Sequence, residues 1–377
     1  MWKKTGQQVY CAIRASIQQN TNPNFVKMLP DVPPDALPKR HGSHLGSAIF
    51  GASPEDFQVE ELLGFTPSEE GEHCLLWVEK CQLSSNEAAG LIAQQLGIRK
   101  RLVSHCGLKD RNAITRQWFS VHLPGQESPA AQQWEIEGLR VIEVTRNARK
   151  LCRGVHAGNR FKIRLRQCSF NAGATAERWR TICEHGVPNY FGQQRFGRDG
   201  NNVDKARALM RGEMKVHDRL LRGLFLSAAR SEIFNAVVAA RVTGGTWDTP
   251  LAGEVYGFAD NHSIILPEKQ RGDESARFSA HQLELTAPLW GAGEPLSKSA
   301  VLELERGIVA GHDDLCDGLK EFGLRQQRRV IRLRPSETSL LWQGQDLILG
   351  FNLPKGAYAT TVLGELCALT SPSAGGA

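Results

Sequence analysis

The stretch Arg160-Phe161-Lys162-Ile163-Arg164-Leu165-Arg166 alternates basic and apolar side chains at every position. Because successive side chains of a β-strand point to opposite faces of the sheet, the alternation predicts a strand with one apolar face. The four basic side chains then form a stripe on the other face, and a half-buried strand alone explains such a pattern. The stripe contains no acid, however, so we expect it to need a counter-ion, and phosphate is a suitable one.

The segments on either side of this strand predict a strand-rich unit that is interrupted by helices. Alternation predicts strands from Phe57 and over 114–123, and Ser84-Ser85-Asn86 predicts the start of a helix. After the basic strand, the apolar spacing and the terminal glycines predict helices over 176–185, 203–211, 220–242, 301–309 and 313–322. Strands return over 330–333 and 347–353, and a short helix follows over 361–369. The order predicts an α+β fold with an inserted helix-rich domain, because an insert is tolerated where its two ends lie close together.

We place the domain boundaries from this pattern. The strand-rich domain is predicted over 41–184 and 331–370, the insert over 185–330 and a tail over 371–377. Residues 1–40 are predicted to be poorly ordered, since they combine a polar segment at 20–24 with four prolines between residues 30 and 38. Translation from Met28 is a hypothesis for this region, and a peptide from residues 1–27 in a mass spectrum would disprove it.

The composition predicts a soluble globular protein of two domains, with 377 residues, 41% hydrophobic and 23% charged. The longest apolar runs are too short to cross a bilayer, and Arg14, Gln18 and Gln19 interrupt any secretory signal. The nine cysteines are scattered and no two have CxxC spacing, which argues against a disulfide framework and a structural zinc site. We therefore expect reduced thiols and a cytoplasmic location.

The net charge of +6 is concentrated in blocks. Nine Lys or Arg and one acid lie from Arg140 to Arg166, and six Lys or Arg and one carboxylate lie between Glu87 and Glu127. Five Arg and no acid lie between Glu321 and Glu337. Basic blocks that converge in space are typical of polyanion binders, although each block alone is explained as a solvated face.

Familiar catalytic motifs are missing from the sequence. It contains no HExxH, no His/Cys cluster, no GxSxG and no glycine-rich nucleotide loop. We therefore predict no metal, no nucleotide cofactor and no serine or cysteine triad. The candidate that remains is Asp110, in Gly107-Leu-Lys-Asp-Arg-Asn112. Its basic neighbours favour an ionised carboxylate, which can attack an electrophilic carbon; a turn cap or an ion pair is the alternative.

Five segments together resemble the TruD family of tRNA pseudouridine synthases, in the family's order and over about residues 45–370. They are Pro54-Glu-Asp-Phe57, the Asp110 segment from Gly107 to Gln117, Gly158-Asn159-Arg-Phe161, Gly186-Val-Pro-Asn-Tyr-Phe-Gly-Gln-Gln-Arg-Phe-Gly197, and Leu353-Pro-Lys-Gly-Ala-Tyr358-Ala-Thr-Thr. The resemblance implies a discontinuous catalytic domain with a central mixed or antiparallel sheet flanked by helices, and an inserted domain. It also implies a substrate, the uridine at position 13 of tRNA.

The resemblance also assigns roles to single residues. Asp110 matches the catalytic aspartate, and Phe57, Asn159 and Tyr358 match positions that contact the uridine. The family often has Phe where Tyr358 stands, and a basic residue where Gly51-Ala52-Ser53 precedes the first segment. Lys109 and Arg116 are therefore both candidates for the cation beside Asp110. Phe161 is a further candidate for stacking on the base, or it is a core residue.

The resemblance implies an isomerase that acts on RNA, and this redox-neutral, intramolecular reaction is expected to need no cofactor or metal. The base must be flipped out, and the stripe at 160–166 and the arginines at 325–334 are candidates to hold the phosphates. Asn159 offers a donor and an acceptor that match the uracil edge. The sequence leaves open whether Asp110 attacks C1′ or C6 or takes the C2′ proton. The expected protein is a monomer without membrane association; the alternatives are a non-catalytic RNA-binding protein on the same fold and, with less support, a DNA-binding protein.

Overall fold

The structure is a computed structural model, and it describes residues 37–134, 136–197, 199–259, 261 and 263–372. The predictions for residues 1–36, including the start at Met28, and for residues 373–377 lie outside this range. The chain divides into two compact units. The sheet unit consists of His41–Val187 and residues 333–372, and the helical unit consists of residues 37–40 and Pro188–Arg332.

We number the strands and helices of the described residues in chain order. The strands are β1 Ser47–Phe50, β2 Phe57–Leu62, β3 His73–Cys81, β4 Val103–His105, β5 Ile114–His122, β6 Leu139–Asn147, β7 Gly158–Arg166, β8 Val187–Pro188, β9 Tyr256–Gly257, β10 Ile264–Ile265, β11 Glu284–Leu289, β12 Gln327–Val330, β13 Arg332–Leu333, β14 Ser336–Gln343, β15 Asp346–Pro354 and β16 Ala368–Thr370. The helices are α1 Ser85–Gln95, α2 Ala172–His185, α3 Asn202–Met210, α4 Arg219–Thr243, α5 Glu274–Ser279, α6 Ser299–Val309, α7 Asp313–Glu321 and α8 Ala359–Gly364.

The sheet unit is built on one mixed sheet with the strand order β14-β15-β7-β2-β5-β3-β6. The pair β2 and β5 is parallel, whereas β7 runs antiparallel to both β2 and β15. Buried side chains of α2 and α8 belong to the same hydrophobic cluster as those of β2, β7 and β15, and α1 contributes to a second cluster with β3 and β5. The predicted α+β fold with a mixed sheet flanked by helices is therefore confirmed.

Strand β7 has the two faces that its alternation predicts. Phe161, Ile163 and Leu165 are buried, and Arg160 and Lys162 are exposed. The basic face, however, lies beside acids that neighbouring segments supply. Arg160 pairs with Glu60 and Glu337, Arg164 with Asp346, and Arg166 with Asp56. The expectation of a stripe without compensating acids was wrong, because the sequence of one strand does not include the acids of the strands next to it.

Other departures from the sequence predictions come from pairing and burial. The predicted helix over 361–369 ends at Gly364, since residues 368–370 form β16, which pairs in parallel with β1. The predicted strand over 330–333 is divided into β12 and β13. Strands β3, β6 and β14 were not predicted; in β3 the adjacent residues Leu75 and Leu76 are both fully buried, so the first half of the strand does not alternate.

The helical unit contains α3 to α7 and a small sheet with the order β10-β9-β11-β12. Its longest helix, α4, begins after Asp218, whose side chain accepts hydrogen bonds from the backbone N–H groups of Leu220 and Leu221. Within the described residues, α4 is the one helix long and apolar enough to span a membrane by composition, and 67% of its most apolar window is buried in the protein. A core helix has the same properties.

The segment at 186–197, which is distinctive in the sequence, has a structural role in the helical unit. The side-chain amide of Asn189 donates to the carbonyl oxygen of Val330, at 2.9 Å, and its oxygen accepts from Arg329, at 2.8 Å. The side-chain amide of Asn235 bonds both the N–H and the carbonyl oxygen of Phe191. Asn235 thus satisfies backbone groups of this largely buried segment, and Asn189 ties the segment to Val330 and Arg329.

Candidate active site

Asp110 lies in the loop between β4 and β5, and hydrogen bonds from neighbouring elements hold this loop. The backbone N–H of Lys109 donates to Ser85 Oγ on α1, at 2.9 Å. Ser85 Oγ donates in turn to Gln117 Oε1 on β5, at 2.6 Å, and Gln117 Nε2 donates to the carbonyl oxygen of Gly107, at 3.2 Å. A helix and a strand therefore fix the backbone on the N-terminal side of Asp110.

Consecutive loop residues point to different environments. The Lys109 side chain is buried, and its Nζ forms an ion pair with Glu61 Oε2 on β2, at 2.7 Å. Glu61 Oε1 also accepts from the backbone N–H of Trp118, at 3.3 Å. Asp110 itself is exposed. The buried pair thus anchors the loop, while the next residue, Asp110, keeps a solvent-exposed side.

Lys80, near the end of β3, lies beneath the loop. Its side chain is almost completely buried, and Nζ donates to the carbonyl oxygens of Leu83, at 2.5 Å, and Asp110, at 3.0 Å. Burial lowers the pKa of Lys80 to about 8, against the opposing effect of the negative charge of Asp110. Sequence reasoning missed Lys80, although a lysine at the end of the apolar run Leu75-Leu-Trp-Val78 was a usable signal.

The environment of the Asp110 carboxylate is dominated by desolvation. Although the residue has a solvent-exposed side, the surrounding protein raises the pKa of Asp110, and the positive charge of Lys80 is the largest opposing influence. The other nearby cations have carboxylate partners of their own. Arg111 pairs with Glu87 at 2.7 Å, and Arg116 pairs with Glu79 at 2.8 Å.

Asn159 lies at the start of β7, on the same face as the core residue Phe161. It is opposite Glu61 in β2 and opposite Leu353 in β15. Its Oδ1 is shielded from solvent and accepts no hydrogen bond from the described part of the chain. A buried acceptor without a donor lowers the stability of the protein, so this oxygen is a candidate to accept a hydrogen bond from a ligand.

The two phenylalanines that were candidates for stacking are packed in the core. Phe57 and Phe161 are 8% and 6% exposed, and their rings are nearly parallel with centroids 6.2 Å apart. Phe161 also contacts Phe351, with ring centroids 5.6 Å apart. Packing of this kind fixes the ring positions and leaves each ring little surface of its own.

Tyr358 lies at the N-terminal end of α8 and is partly exposed. The loop before it is attached to the Asn159 end of β7, because Gly158 is opposite Pro354 and the N–H of Lys355 donates to the carbonyl oxygen of Ala157. A Cβ atom at Gly158 would collide with the carbonyl oxygen of Leu353. Glycine at 158 therefore permits the close approach of β15, which brings the Tyr358 loop to the Asn159 end of β7.

A buried cluster behind the loop has donor atoms of the kinds that bind metals. Glu61, Cys106 and His156 have such atoms within 4.8 Å of one another. Burial lowers the pKa of His156 to about 4, helped by the cations Lys109 and Lys355, and burial raises the pKa of Cys106 to about 12. Because Glu61 is already paired with the Lys109 ammonium, the site fits a second cation poorly.

The Asp110 loop, the start of β7 with Asn159 and the loop before Tyr358 are therefore linked through contacts on the central strands β2 and β7. Glu61 connects them, since it pairs with Lys109 beside Asp110 and lies opposite Asn159, and the Tyr358 loop is attached next to Asn159. The family model for tRNA pseudouridine synthase D (TruD) matches residues 47–217 and 201–366. This chain belongs to the TruD family.

Curated relatives agree with this family assignment. The chain is 44% identical over 337 residues to the tRNA pseudouridine synthase D of Chromohalobacter salexigens, covering 88% of this chain and 96% of the relative. It is 42% identical over 326 residues to the protein of the same name from Aeromonas hydrophila, covering 86% and 92%. A crystal structure of a Methanosarcina mazei protein assigned as tRNA pseudouridine synthase D has the same fold, with a TM-score of 0.64 at 20% identity, covering 86% of this chain and 94% of that one.

Proposed function

We propose that this chain converts the uridine at position 13 of tRNA to pseudouridine, with Asp110 as the catalytic carboxylate. As a TruD family member, the chain is an isomerase that acts on RNA uridine. The observation that carries the proposal for Asp110 is its placement: an aspartate with a solvent-exposed side and a partly desolvated carboxylate, on a loop fixed from α1 and β5, with Lys80 beneath it.

The reaction breaks the N1–C1′ bond and joins C5 to C1′, while a proton leaves C5 and N1 gains one. It is intramolecular and redox-neutral, so acid, base and positioning are sufficient. Asp110 acts either as a nucleophile at C1′ or C6 or as the base that takes the C2′ proton, and each role requires the ionised carboxylate.

Lys80 is the cation that we propose beside Asp110. Its Nζ lies 3.0 Å from the Asp110 carbonyl oxygen, and its positive charge opposes the desolvation that raises the pKa of Asp110. Lys109 and Arg116 were the candidates from the sequence, and each has a close carboxylate partner of its own. Lys109 contributes more weakly, and its main contact is Glu61.

Asn159 and Tyr358 are proposed to bind the flipped base. The unpartnered Oδ1 of Asn159 accepts from uracil N3–H, and its amide donates to a uracil carbonyl. The partly exposed ring of Tyr358 stacks on the base, a contact of about 1–3 kcal/mol. Phe57 and Phe161 support this site from the core. The non-catalytic RNA-binding alternative is not favoured. The protein is proposed to act as a cytoplasmic monomer with tRNA as its partner.

Unmodified tRNA transcripts test the proposal. Purified protein should form one pseudouridine, at position 13, in a transcript with uridine there and none in a transcript with cytidine at position 13. A pseudouridine at another position would contradict the proposed site of action, and no pseudouridine in either transcript would contradict the activity.

A further inference from the structure

A cavity of about 380 Å³ opens on the sheet unit beside the catalytic loop. It lies between α1, the turn at Lys100–Leu102, β4 and the segment at 150–153. We call it the cation cavity and define it by six of its lining residues: Asn86, Lys100, Arg101, His105, Lys150 and Arg153. No Asp or Glu lines it.

The four cations of the cavity have no carboxylate partners within the described part of the chain. Lys100, Arg101, Lys150 and Arg153 are exposed and form none of the ion pairs that hold the stripe of β7. Like charges that converge without acids repel one another in the free protein. An anionic ligand relieves that repulsion, and it is attracted by the field of all four charges.

The cavity also contains an unpartnered polar atom. His105 is 8% exposed, and its Nδ1 has no hydrogen-bond partner among the described residues. Burial lowers the pKa of His105, and the positive charges of Arg153, Lys109 and Lys80 lower it further, so the ring is neutral at pH 7. Because the neutral ring already has a hydrogen bond with the backbone of Gly107, the unpartnered Nδ1 is an acceptor, and it is available to a ribose hydroxyl.

The cavity and the catalytic loop share their walls. Ser85 accepts from the N–H of Lys109, and the next residue, Asn86, lines the cavity. On the other wall, the N–H of Gly154 donates to the carbonyl oxygen of Cys106, at 2.8 Å, and the preceding residue is Arg153.

We propose that the cation cavity binds the ribose-phosphate backbone of the RNA strand that carries the target uridine. The proposal rests on the proposed function, since that function supplies an RNA whose reacting nucleotide is at Asp110. Lys150 and Arg153 contact phosphates from one wall, and Lys100 and Arg101 from the other. The cavity thereby holds the strand while the base is flipped, at a step where pairing and stacking must be given up.

The salt dependence of tRNA binding tests the proposal. Lys150→Gln/Arg153→Gln should weaken tRNA affinity roughly tenfold for each lost phosphate contact. It should reduce the slope of log K against log salt by about 0.7–0.9 per contact. Because the proposed contacts act on the RNA backbone and not on the reacting atoms, the loss should appear mainly in Kd and KM, and kcat at saturating tRNA should fall by a smaller factor. Arg180→Gln/Lys320→Gln removes the same charge from exposed positions that are paired with acids, and should leave the slope unchanged.

The outcomes separate this proposal from the proposed function. If the unchanged protein forms no pseudouridine, the proposed function fails. If it does, but Lys150→Gln/Arg153→Gln keeps both the affinity and the salt slope, the cavity does not bind RNA. Inorganic phosphate at constant ionic strength tests for a free-anion site. If phosphate weakens tRNA binding to the unchanged protein but not to the variant, the result supports the proposal. If the unchanged protein binds phosphate but the variant keeps its tRNA affinity, the cavity is a free-anion site and the proposal is overturned.

Discussion

The Asp110 loop at 107–112 and the basic stripe of β7 differ in which charged groups neighbouring elements compensate. Both bring several cations close together in the chain. In the stripe, acids from neighbouring segments neutralise Arg160, Arg164 and Arg166. In the loop, the flanking cations are also paired, but Asp110 keeps a solvent-exposed side above Lys80. Partners across the sheet, more than neighbours in the chain, therefore decide which charges are compensated.

The largest expected effect on stability is at the buried pair that anchors the loop. Glu61→Gln leaves the Lys109 ammonium buried without a counter-charge, which should lower the free energy of unfolding by about 3–5 kcal/mol. Glu61→Gln/Lys109→Met removes both charges and should recover most of that loss. Urea denaturation measures both variants, and a double variant no more stable than the single one would show that the pair is not coupled.

The next effect concerns Lys80 and the pH dependence of turnover. The pKa of Asp110 is raised, so activity should fall as the pH drops through that raised value, at a higher pH than for an ordinary aspartate. The pKa of Lys80 is about 8, so kcat/KM should also decline above about pH 8, where the amine loses its charge. Lys80→Met should lower the rate roughly 10²-fold at neutral pH, move the acid limb to higher pH and remove the alkaline limb.

Arg111→Gln is the matched control for Lys80. It removes a cation next to Asp110 in sequence, but this cation is exposed and paired with Glu87. Its pH profile should coincide with that of the unchanged protein. If Arg111→Gln moves the acid limb and Lys80→Met does not, the assignment of the charge partner is incorrect.

A smaller effect on the reaction is expected at Asn159. Asn159→Ala removes the proposed anchor of the uracil edge, and one lost hydrogen bond to the base should lower kcat/KM at least about tenfold. Binding of tRNA, which depends on many phosphate contacts, should change less than twofold. Steady-state kinetics on unmodified tRNA, with an independent measurement of affinity, separates the two. Unchanged kinetics would count against the anchor.

The smallest effect is expected in the stripe. Arg164 is about one-third exposed and pairs with Asp346 at 3.7 Å, so Arg164→Gln should change stability by less than about 1 kcal/mol. Its tRNA affinity and salt slope should match those of the unchanged protein. A reduced slope would show that the stripe contacts phosphate in spite of its ion pairs, and would remove the contrast with the loop.

Local pattern was sufficient for elements whose burial alternates or repeats along one segment. The basic strand, the helix over 220–242 and the strand over 347–353 were confirmed as β7, α4 and β15, with ends within one or two residues. It was insufficient where a distant segment decides the structure. Strand β16 depends on pairing with β1, and β3 has near its start three consecutive buried residues, Cys74, Leu75 and Leu76, which hide its alternation.

The same limit applies to the site. The motif indicated Asp110, but the sequence separates Lys80 from it by 30 residues and gives no sign that β3 passes beneath the loop. The acids that pair with the stripe lie in β2, β14, β15 and the turn before β2. Charge partners of this kind are set by the order of strands in the sheet, which the motifs do not specify.

The central claim is that Asp110 carries out the isomerisation, and a single-turnover map of pseudouridine in unmodified tRNA tests it most directly. Asp110→Asn keeps the size of the side chain and removes its charge. With enzyme in excess and above its Kd, the unchanged protein should convert uridine 13 completely, and Asp110→Asn should bind tRNA with nearly unchanged affinity and form no pseudouridine. Pseudouridine at position 13 with the Asp110→Asn protein would contradict the account.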